Sequence, residues 1–390
     1  MEVYLDNSAT TKPSQAAVQA INRALTEIYG NPSSLHRQGL LAEKLLKKSR
    51  SQITNALGVA EDEFVFTSGG TEANNLAILG SIKQLPKHSN YLITTEIEHP
   101  STLNIFKELE REGYPVTYLR VTQKGIVDLN HLQQCLLKKP ALISIMMVNN
   151  EIGTVQPIAE ISKMIASLPY KPIFHSDAVQ AFGKLKIDLS KTNVDLLSIS
   201  AHKFHGPKGI GGLYIRKGTK LGPLFYGGSQ EFKLRPGTEN LPAIAGMAAA
   251  AEEFSSNNLT QKIKYIEHLR TRLLIGITKK IENVKIISPA VPEAVPNILN
   301  VAFLGIPGEV LLHGLEEDGI YISTRSACSS NKKEQSHVLT ALGLRTQEIE
   351  SAVRFSLSIY NTETEIDYTI DRLHHHVTNL RQIVSGRGYY

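Results

Sequence analysis

The stretch SAHKFHGPKG, residues 200–209, places a lysine, two histidines and a serine directly after an apolar run. An amine held among apolar strands has a lowered pKa, and a neutral amine can form a Schiff base with a carbonyl compound. Lys203 is therefore the candidate for covalent attachment of such a ligand, while Lys208 in the Gly-Pro turn fits an ordinary solvated lysine better. Ser200 and His202 add hydrogen-bond donors for a phosphate.

A second candidate group is the carboxylate in HSDAVQ, residues 175–180. Asp177 lies in an apolar setting, where an unpaired carboxylate is costly, and a protonated pyridine nitrogen is a suitable partner. Gln180 lies one turn further on and could reach the same ligand. A helix N-cap is the structural alternative for Asp177, because aspartate is common at that position.

A Gly-Gly turn in FTSGGTEANN, residues 66–75, supplies a place for an anion. Gly69 and Gly70 let the backbone approach a ligand closely, and Thr71 lies at the expected start of a helix. Amide groups and the helix dipole favour a phosphate there. Alone, this pattern fits an ordinary capped turn equally well.

The two cysteines have different surroundings. Cys328 lies in RSACSSNKKEQSH, residues 325–337, a polar stretch that predicts a surface loop. Lysine and arginine neighbours favour its thiolate, the form that acts as a nucleophile. Cys135 falls on the apolar face of a predicted helix and is expected to be an inert core residue.

Apolar runs alternate with helical patterns through the first two-thirds of the chain. Six runs predict strands, at 63–68, 90–95, 141–148, 172–178, 194–200 and 211–216. Continuous apolar strands separated by helices predict a mostly parallel sheet with both faces covered, an α/β fold. Ligands bind at the carboxyl ends of strands in such sheets, so the motifs above are expected to meet at one edge.

The last third of the chain changes character. Runs at 297–305, 319–324 and 352–358 predict three more strands. A closing helix carries an apolar stripe made of Ile366, Ile370, Leu373, Val377 and Leu380. Because 390 residues exceed what one core usually supports, we expect a large α/β domain at 15–255. The expected small α+β domain comprises 1–14 and 256–390.

Eight motifs occur in a fixed order: TSGGTEANN, EHPS, VNNEIG, SDAVQ, SAHKFHGPKG, RPGTEN, TRSACSS and RFSLS. In this combination the chain resembles the cysteine desulfurases of the NifS/IscS type. These are fold type I enzymes of the class V aminotransferase superfamily that use pyridoxal 5′-phosphate (PLP). The resemblance extends from YLDNSATT, residues 4–11, to the final helix.

The resemblance implies a role around PLP for each matching residue. Lys203 would hold the cofactor, Asp177 would pair with its ring nitrogen, and Gln180 would bond its phenolic oxygen. His99 would stack on the ring and move protons, although a buried structural histidine is the alternative. The other implied cofactor-binding residues are Gly70, Thr71, Asn150, Ser200, His202 and, toward a neighbouring subunit's phosphate, Thr238.

The resemblance also implies the substrate, the reaction and the partners. Asn150 and Arg354 would bind the carboxylate of L-cysteine, which suits the paired donors of a guanidinium; an ordinary ion pair is the alternative for Arg354. Cys328 would take the substrate sulfur as a persulfide and release L-alanine. A homodimer and a sulfur-acceptor protein, serving iron–sulfur cluster assembly or tRNA thiolation, are implied as partners. Alternatives are a selenocysteine lyase or another PLP-dependent C–S lyase, and an assembly partner without turnover.

Composition and the pattern of the first residues indicate the cellular setting and the kinds of partner to expect. Hydrophobic residues make up 42% of the chain, which is ordinary for a globular protein, and no run of about 18 apolar residues occurs, so no membrane span is expected. The net charge of +5 is spread along the chain, so direct nucleic-acid binding is not expected either. The first residues lack a signal-peptide pattern, and two cysteines are too few for a disulfide framework, so we expect the cytoplasm. His374, His375 and His376 are consecutive on a helix and point about 100° apart, so no metal site is expected.

Overall fold

The computed structural model describes residues 1–86, 90–254, 256–324 and 335–386. The helices in these ranges are α1 (Gln15–Thr26), α2 (Arg37–Leu57), α3 (Gly70–Ile82), α4 (Pro100–Arg111), α5 (Leu129–Leu136), α6 (Ile158–Ala166), α7 (Leu241–Glu252), α8 (Ser256–Lys280), α9 (Gly308–Glu317), α10 (His337–Ala341), α11 (Thr346–Glu350) and α12 (Glu363–Gly386). The strands are β1 (Val3–Tyr4), β2 (Phe64–Thr67), β3 (Leu92–Thr95), β4 (Val116–Leu119), β5 (Leu142–Ser144), β6 (Ile173–Asp177), β7 (Leu196–Ser200), β8 (Gly211–Ile215), β9 (Val284–Ile286), β10 (Ile298–Phe303), β11 (Ile320–Tyr321) and β12 (Ala352–Ser356). Within the described residues, no helix is both long enough and apolar enough to cross a bilayer.

A seven-stranded sheet in the order β2-β8-β7-β6-β5-β3-β4 forms the centre of the molecule. β8 runs antiparallel to both of its neighbours, and all other pairs are parallel, which confirms the predicted mostly parallel sheet. Successive residues of a strand pack on opposite faces. Leu196 joins the apolar cluster that includes residues of α3, whereas Leu197 joins the one that includes residues of α2 and α7. The sheet is therefore covered on both faces.

The strand bounds differ from the predicted ones at two places. The run at 141–148 forms a ladder only at Leu142–Ser144, although Ile145 and Met147 still donate backbone hydrogen bonds to His175 and Asp177. The run at 319–324 keeps only the two residues of β11. At both places the chain stays extended but leaves the regular ladder as it approaches the cleft described below.

A smaller antiparallel sheet, β12-β10-β9, packs against α8, α9 and α12 around its own apolar core. The predicted stripe of α12 is confirmed: Ile366, Ile370, Leu373 and Val377 are buried in that core and Leu380 packs against it. The chain start returns to this region, because β1 pairs in parallel with β11 and Asp6 pairs with Ser356. Two separate cores support the division into domains at 15–255 and at 1–14 with 256–390, which stays a prediction.

Candidate active site

A cleft lies at the carboxyl ends of the parallel strands, where β6 and β7 finish beside the start of α3. Its walls come from both ends of the chain and from the central strands. The lining residues are Ser8, Ala9, Gly70, Thr71, Asn74, His99, Ser101, Met146, Val148, Asn150, Asp177, Val179, Gln180, Ser200, His202, Lys203 and Arg354. The structure thus brings together ten of the predicted site residues: Lys203, His99, Gly70, Thr71, Asn150, Asp177, Gln180, Ser200, His202 and Arg354.

Lys203 enters the cleft from a short 3-10 turn that follows β7. Its Nζ donates to the backbone oxygens of Ser8 (2.5 Å) and Ala9 (2.8 Å), so the N-terminal segment holds the amine in place. Behind it, Nζ of the buried Lys184 donates to the carbonyl oxygen of Lys203 at 2.5 Å. Burial, with the charge of Lys203, lowers the pKa of Lys184 to about 7. Sequence reasoning missed Lys184 and Ser8, because only the folded chain brings them to this lysine.

Asp177 is the last residue of β6 and is 4% exposed. Its Oδ1 accepts a hydrogen bond from Val179 N (2.9 Å) and its Oδ2 accepts one from Asn74 Nδ2 (2.7 Å). Burial raises the pKa of this carboxyl, while those hydrogen bonds and the charge of Lys203 act in the opposite direction. A carboxylate has lone pairs for more than two donors, so Asp177 can also accept a proton-bearing ring nitrogen.

Asn74 is a site residue that sequence reasoning missed. It is fully buried on α3, and its Nδ2 binds both Asp177 and Ser101 Oγ, the latter at 2.9 Å. Its Oδ1 has no hydrogen-bond partner among the described residues. The sequence shows Asn74 only as one residue of the motif TSGGTEANN and does not indicate its role, because that role depends on contacts with two distant segments.

His99 caps the N-terminus of α4, with Nδ1 accepting from Ser101 N at 3.1 Å. Burial chiefly lowers the pKa of His99 to about 4, and the charges of Lys203 and His337 add to this effect. The ring is therefore neutral near pH 7. Because Nδ1 accepts a hydrogen bond, the proton of the neutral ring lies on Nε2.

The other end of the cleft is suited to an anion. α3 begins at Gly70, so its first amide groups and Thr71 face the cleft, and Ser200 at the end of β7 lies beside them. A Cβ on Gly70 would lie 2.8 Å from Val179 Cγ2, so the glycine gives the helix room to start here. His202 contacts Thr10 Oγ1 through Nδ1 at 3.2 Å, and burial lowers its pKa to about 3.

Arg354 closes the cleft from β12 and is 2% exposed. Its Nη1 donates to Asn150 O and its Nη2 to Asp6 Oδ1, both at 2.8 Å. The ion pair named as the alternative for this residue is therefore present, on an arginine that also lines the cleft. Its Nε is buried without a hydrogen-bond partner in the described parts of the chain.

Two predicted site residues are not among the described residues that line the cleft. Thr238 is exposed in the segment before α7 and is not among the lining residues of this cleft. Cys328 lies outside the described residues, within 325–334. Cys135 is buried on α5 in the main core, which confirms its prediction as a core residue.

A sequence model of the family described as Aminotransferase class-V matches residues 3–369. The chain belongs to this family. Among curated relatives, "Cysteine desulfurase IscS" of Dictyoglomus turgidum is 42% identical over 98% of this chain and 96% of that protein. "Cysteine desulfurase" of a Nostoc species is 43% identical over 98% of this chain and 94% of that protein.

Two solved structures have a similar fold. A "NIFS-LIKE PROTEIN" superposes with a TM-score of 0.91 at 38% identity and covers 97% of this chain and all of that one. "SspA in complex with cysteine" superposes with a TM-score of 0.80 at 35% identity, over 92% of this chain and all of that one. The chain thus has the fold of the NifS-like proteins.

Aminotransferase class-V membership implies a PLP cofactor, and the residues of the cleft fit it. The cleft holds an amine, a buried carboxylate and a helix start, the three groups that the aldehyde, the ring nitrogen and the phosphate require. Gln180 Nε2 uses one of its two N–H groups on Ser8 O at 2.9 Å, which leaves one donor for a ligand. Gln180 Oε1 and Ser8 Oγ are buried without partners in the described structure, as expected of a polar ligand site.

Proposed function

We propose that this protein is a PLP-dependent cysteine desulfurase, which removes sulfur from L-cysteine and releases L-alanine. The observation that supports it most is the convergence of ten residues, from segments far apart in the chain, on one cleft around Lys203. Motifs that matched by chance would not be expected to place their residues in one cleft. The names of the relatives add the substrate class, and one related structure contains cysteine.

In this proposal Lys203, Asp177, Gln180 and the anion end of the cleft hold PLP. Bound PLP would supply an electron sink for negative charge that develops on the substrate carbons. Asp177 accepts the ring N–H and keeps that nitrogen protonated. Thr71, Ser200 and His202 hold the phosphate at the start of α3.

The substrate is held and deprotonated by residues of this chain. Arg354 and Asn150 bind the α-carboxylate at the small-sheet side of the cleft. Lys203, once its Nζ is free of the cofactor, would take the proton from the substrate Cα. His99 is neutral, carries its proton on Nε2 and can move a proton near the substrate sulfur. Met146 and Val148 exclude water from this wall of the cleft.

Cys328 takes the sulfur in this proposal. Its thiolate attacks the substrate sulfur, so an S–S bond forms and the C–S bond breaks with its electron pair left on the substrate carbon. That carbon takes up a proton and becomes the methyl group of alanine, which leaves, while the enzyme carries a persulfide. The polar sequence around Cys328 predicts a surface loop, from which the persulfide could be presented to an acceptor protein. Iron–sulfur cluster assembly and tRNA thiolation are the proposed destinations, and a reducing cytoplasm is the proposed compartment.

The decisive experiment compares wild type, Cys328→Ala and Cys135→Ala as PLP-loaded proteins. Alanine and sulfide release from L-cysteine would be measured with a reductant present. We expect Cys328→Ala to lose turnover while it keeps the PLP absorbance and its change on adding L-cysteine. Cys135→Ala is the matched control, because its thiol is buried on α5 away from the cleft, and it should retain turnover.

Two results would overturn the proposal. If Cys328→Ala released alanine and sulfide as fast as wild type, the protein would be a C–S lyase that needs no protein thiol. If wild type bound PLP but released no alanine, the assembly-partner alternative would replace the enzyme.

A further inference from the structure

Arg354 already has an ion-pair partner within its own chain. The side chain is 2% exposed, and a buried guanidinium is costly unless it is paired and hydrogen-bonded. Its Nη2 forms an ion pair with Asp6 at 2.8 Å, and its Nη1 donates to the backbone of Asn150 at the same distance. These two bonds use two of its five N–H donors and leave three for a ligand.

Asp6 reaches Arg354 from outside the cleft. Its neighbours Ser8 and Ala9 line the cleft, whereas Asp6 is absent from the described lining. Its backbone is fixed independently of its carboxylate, because Asp6 pairs with Ser356 and its carbonyl oxygen accepts from Ala9 N at 3.0 Å. A fixed backbone therefore holds the carboxylate against Nη2, and of the two side chains it is Arg354 that lines the cleft.

We propose that Asp6 is a positioning residue that aims Arg354 at the carboxylate of the amino-acid substrate and so gives the site its preference for amines that carry a carboxylate. The inference rests on the proposed function, in which Arg354 binds that group. It assigns to the N-terminal segment a role in substrate selection, in addition to its contacts with Lys203.

The physical reason is preorganisation. A free arginine side chain loses rotamer entropy when it is fixed, and a guanidinium already held by two hydrogen bonds has lost most of that entropy before the ligand arrives. Asp6 also supplies the opposite charge that Arg354 needs while the cleft holds no substrate. Without Asp6, the guanidinium is expected to rotate toward whatever acceptor or solvent it can reach.

The test measures binding without turnover. PLP-loaded wild type, Asp6→Ala and Asp6→Asn would be titrated with L-alanine and with ethylamine, which lacks the carboxylate, using the absorbance of the bound cofactor. We expect Asp6→Ala to bind L-alanine roughly tenfold more weakly, the loss expected for one charge-assisted hydrogen bond, with ethylamine unchanged. Asp6→Asn keeps an acceptor oxygen for Nη2 and should retain much of the preference.

A matched control is Asp318→Asn, a similarly half-buried carboxylate that pairs with His376 and Arg372 far from the cleft. It should bind both amines as wild type does. Unchanged or tighter L-alanine binding in Asp6→Ala would overturn the inference, as would equal weakening for ethylamine. If Asp6→Ala fails to fold, Asp6→Leu replaces it, because the leucine side chain is of similar size but has no acceptor for Nη2: weaker L-alanine binding with unchanged ethylamine binding supports the inference, and unchanged L-alanine binding refutes it. These outcomes are separate from the Cys328 test, since L-alanine binding does not depend on that thiol.

Discussion

Burial keeps four histidines near the cleft and the central sheet neutral. The pKa values are lowered to about 4 for His99 and His205 and to about 3 for His175 and His202, chiefly by burial. Unfolded histidines titrate near pH 6.5, so below that pH the unfolded chain binds more protons than the folded one at these residues. Each of them therefore lowers the free energy of unfolding as the pH falls from about 6.5 toward its folded pKa.

His175 gives the cleanest test of this effect, because it is fully buried between Ser144 and Ser198 and lies outside the cleft lining. In His175→Gln, urea unfolding between pH 7 and pH 5 should show a smaller loss of stability on acidification than in wild type. The difference should approach about 1.4 kcal/mol per pH unit, the value for one proton. Comparing the two proteins removes the contributions of titrating groups that both contain. One of these is Glu98, whose pKa burial raises to about 8, so it changes the stability with pH in the opposite direction to His175. Equal slopes would contradict the prediction.

At the residue scale, sequence reasoning found the groups whose chemistry is rare and missed those that act through contacts. A lysine at a strand end and a carboxylate in an apolar run are unusual enough to notice. Asn74 and Asp6 are ordinary residues by type and neighbourhood, and only folding brings Asn74 to Asp177 and Asp6 to Arg354. The roles assigned to the ten residues of the cleft remain to be tested by mutation.

At the element scale, the start of α3 depends on the absence of a side chain at position 70. A Cβ there would lie 2.8 Å from Val179 Cγ2, well inside the usual 3.5–4.0 Å between carbons. Gly70→Ala should therefore displace either Val179 or the helix start and lower the free energy of unfolding by about 1–3 kcal/mol, as overpacking usually does. PLP should also dissociate faster, since α3 holds its phosphate in the proposed site.

The double variant Gly70→Ala/Val179→Ala separates a steric cause from other causes. If the clash with Val179 is responsible, the second substitution should restore most of the stability and PLP retention. Losses that simply add would show that residue 70 acts in another way. Denaturant unfolding and the rate of PLP release measure the two effects separately.

How well each strand could be predicted follows its burial, since the edge strands β2 and β12 are fully buried and were predicted. The buried strands β3, β6 and β7 appear as apolar runs in the sequence and were predicted close to their observed bounds. The edge strands β4 and β9 were missed, since their residues are mostly half-buried and form only short apolar runs. The pairing of β1 with β11 joins two-residue strands from opposite ends of the chain, which no local pattern indicates.

At the scale of the whole molecule, residues 217–240, which precede α7, contribute nothing to the described lining of the cleft. Phe225, Tyr226 and Phe232 are exposed there, together with Thr238. Exposed aromatic side chains on one segment are typical of a protein–protein contact, which supports the proposed homodimer. Thr238 would then reach the phosphate held by the neighbouring subunit.

Subunit mixing tests this arrangement. Lys203→Ala and Thr238→Ala should each have little activity alone. In a mixed dimer, the subunit that keeps Lys203 receives Thr238 from its neighbour, so one of the two sites is complete. Random mixing should restore about a quarter of wild-type alanine formation if the interface is two-fold symmetric. No recovery from mixed dimers, or a monomer in sedimentation, would contradict the prediction.

The cleft draws on Ser8 and Ala9 from the start of the chain and on Arg354 from near its end. On a ribosome, the first group emerges long before the arginine. The N-terminal segment that contacts Lys203 and Gln180 is itself held by β11 and β12, because β1 pairs with β11 and Ser8 N donates to Ser356 Oγ. A nascent chain thus lacks a complete cleft until β12 has left the exit tunnel. Stalled chains that end before β10 should accordingly retain PLP less well than chains that extend past β12.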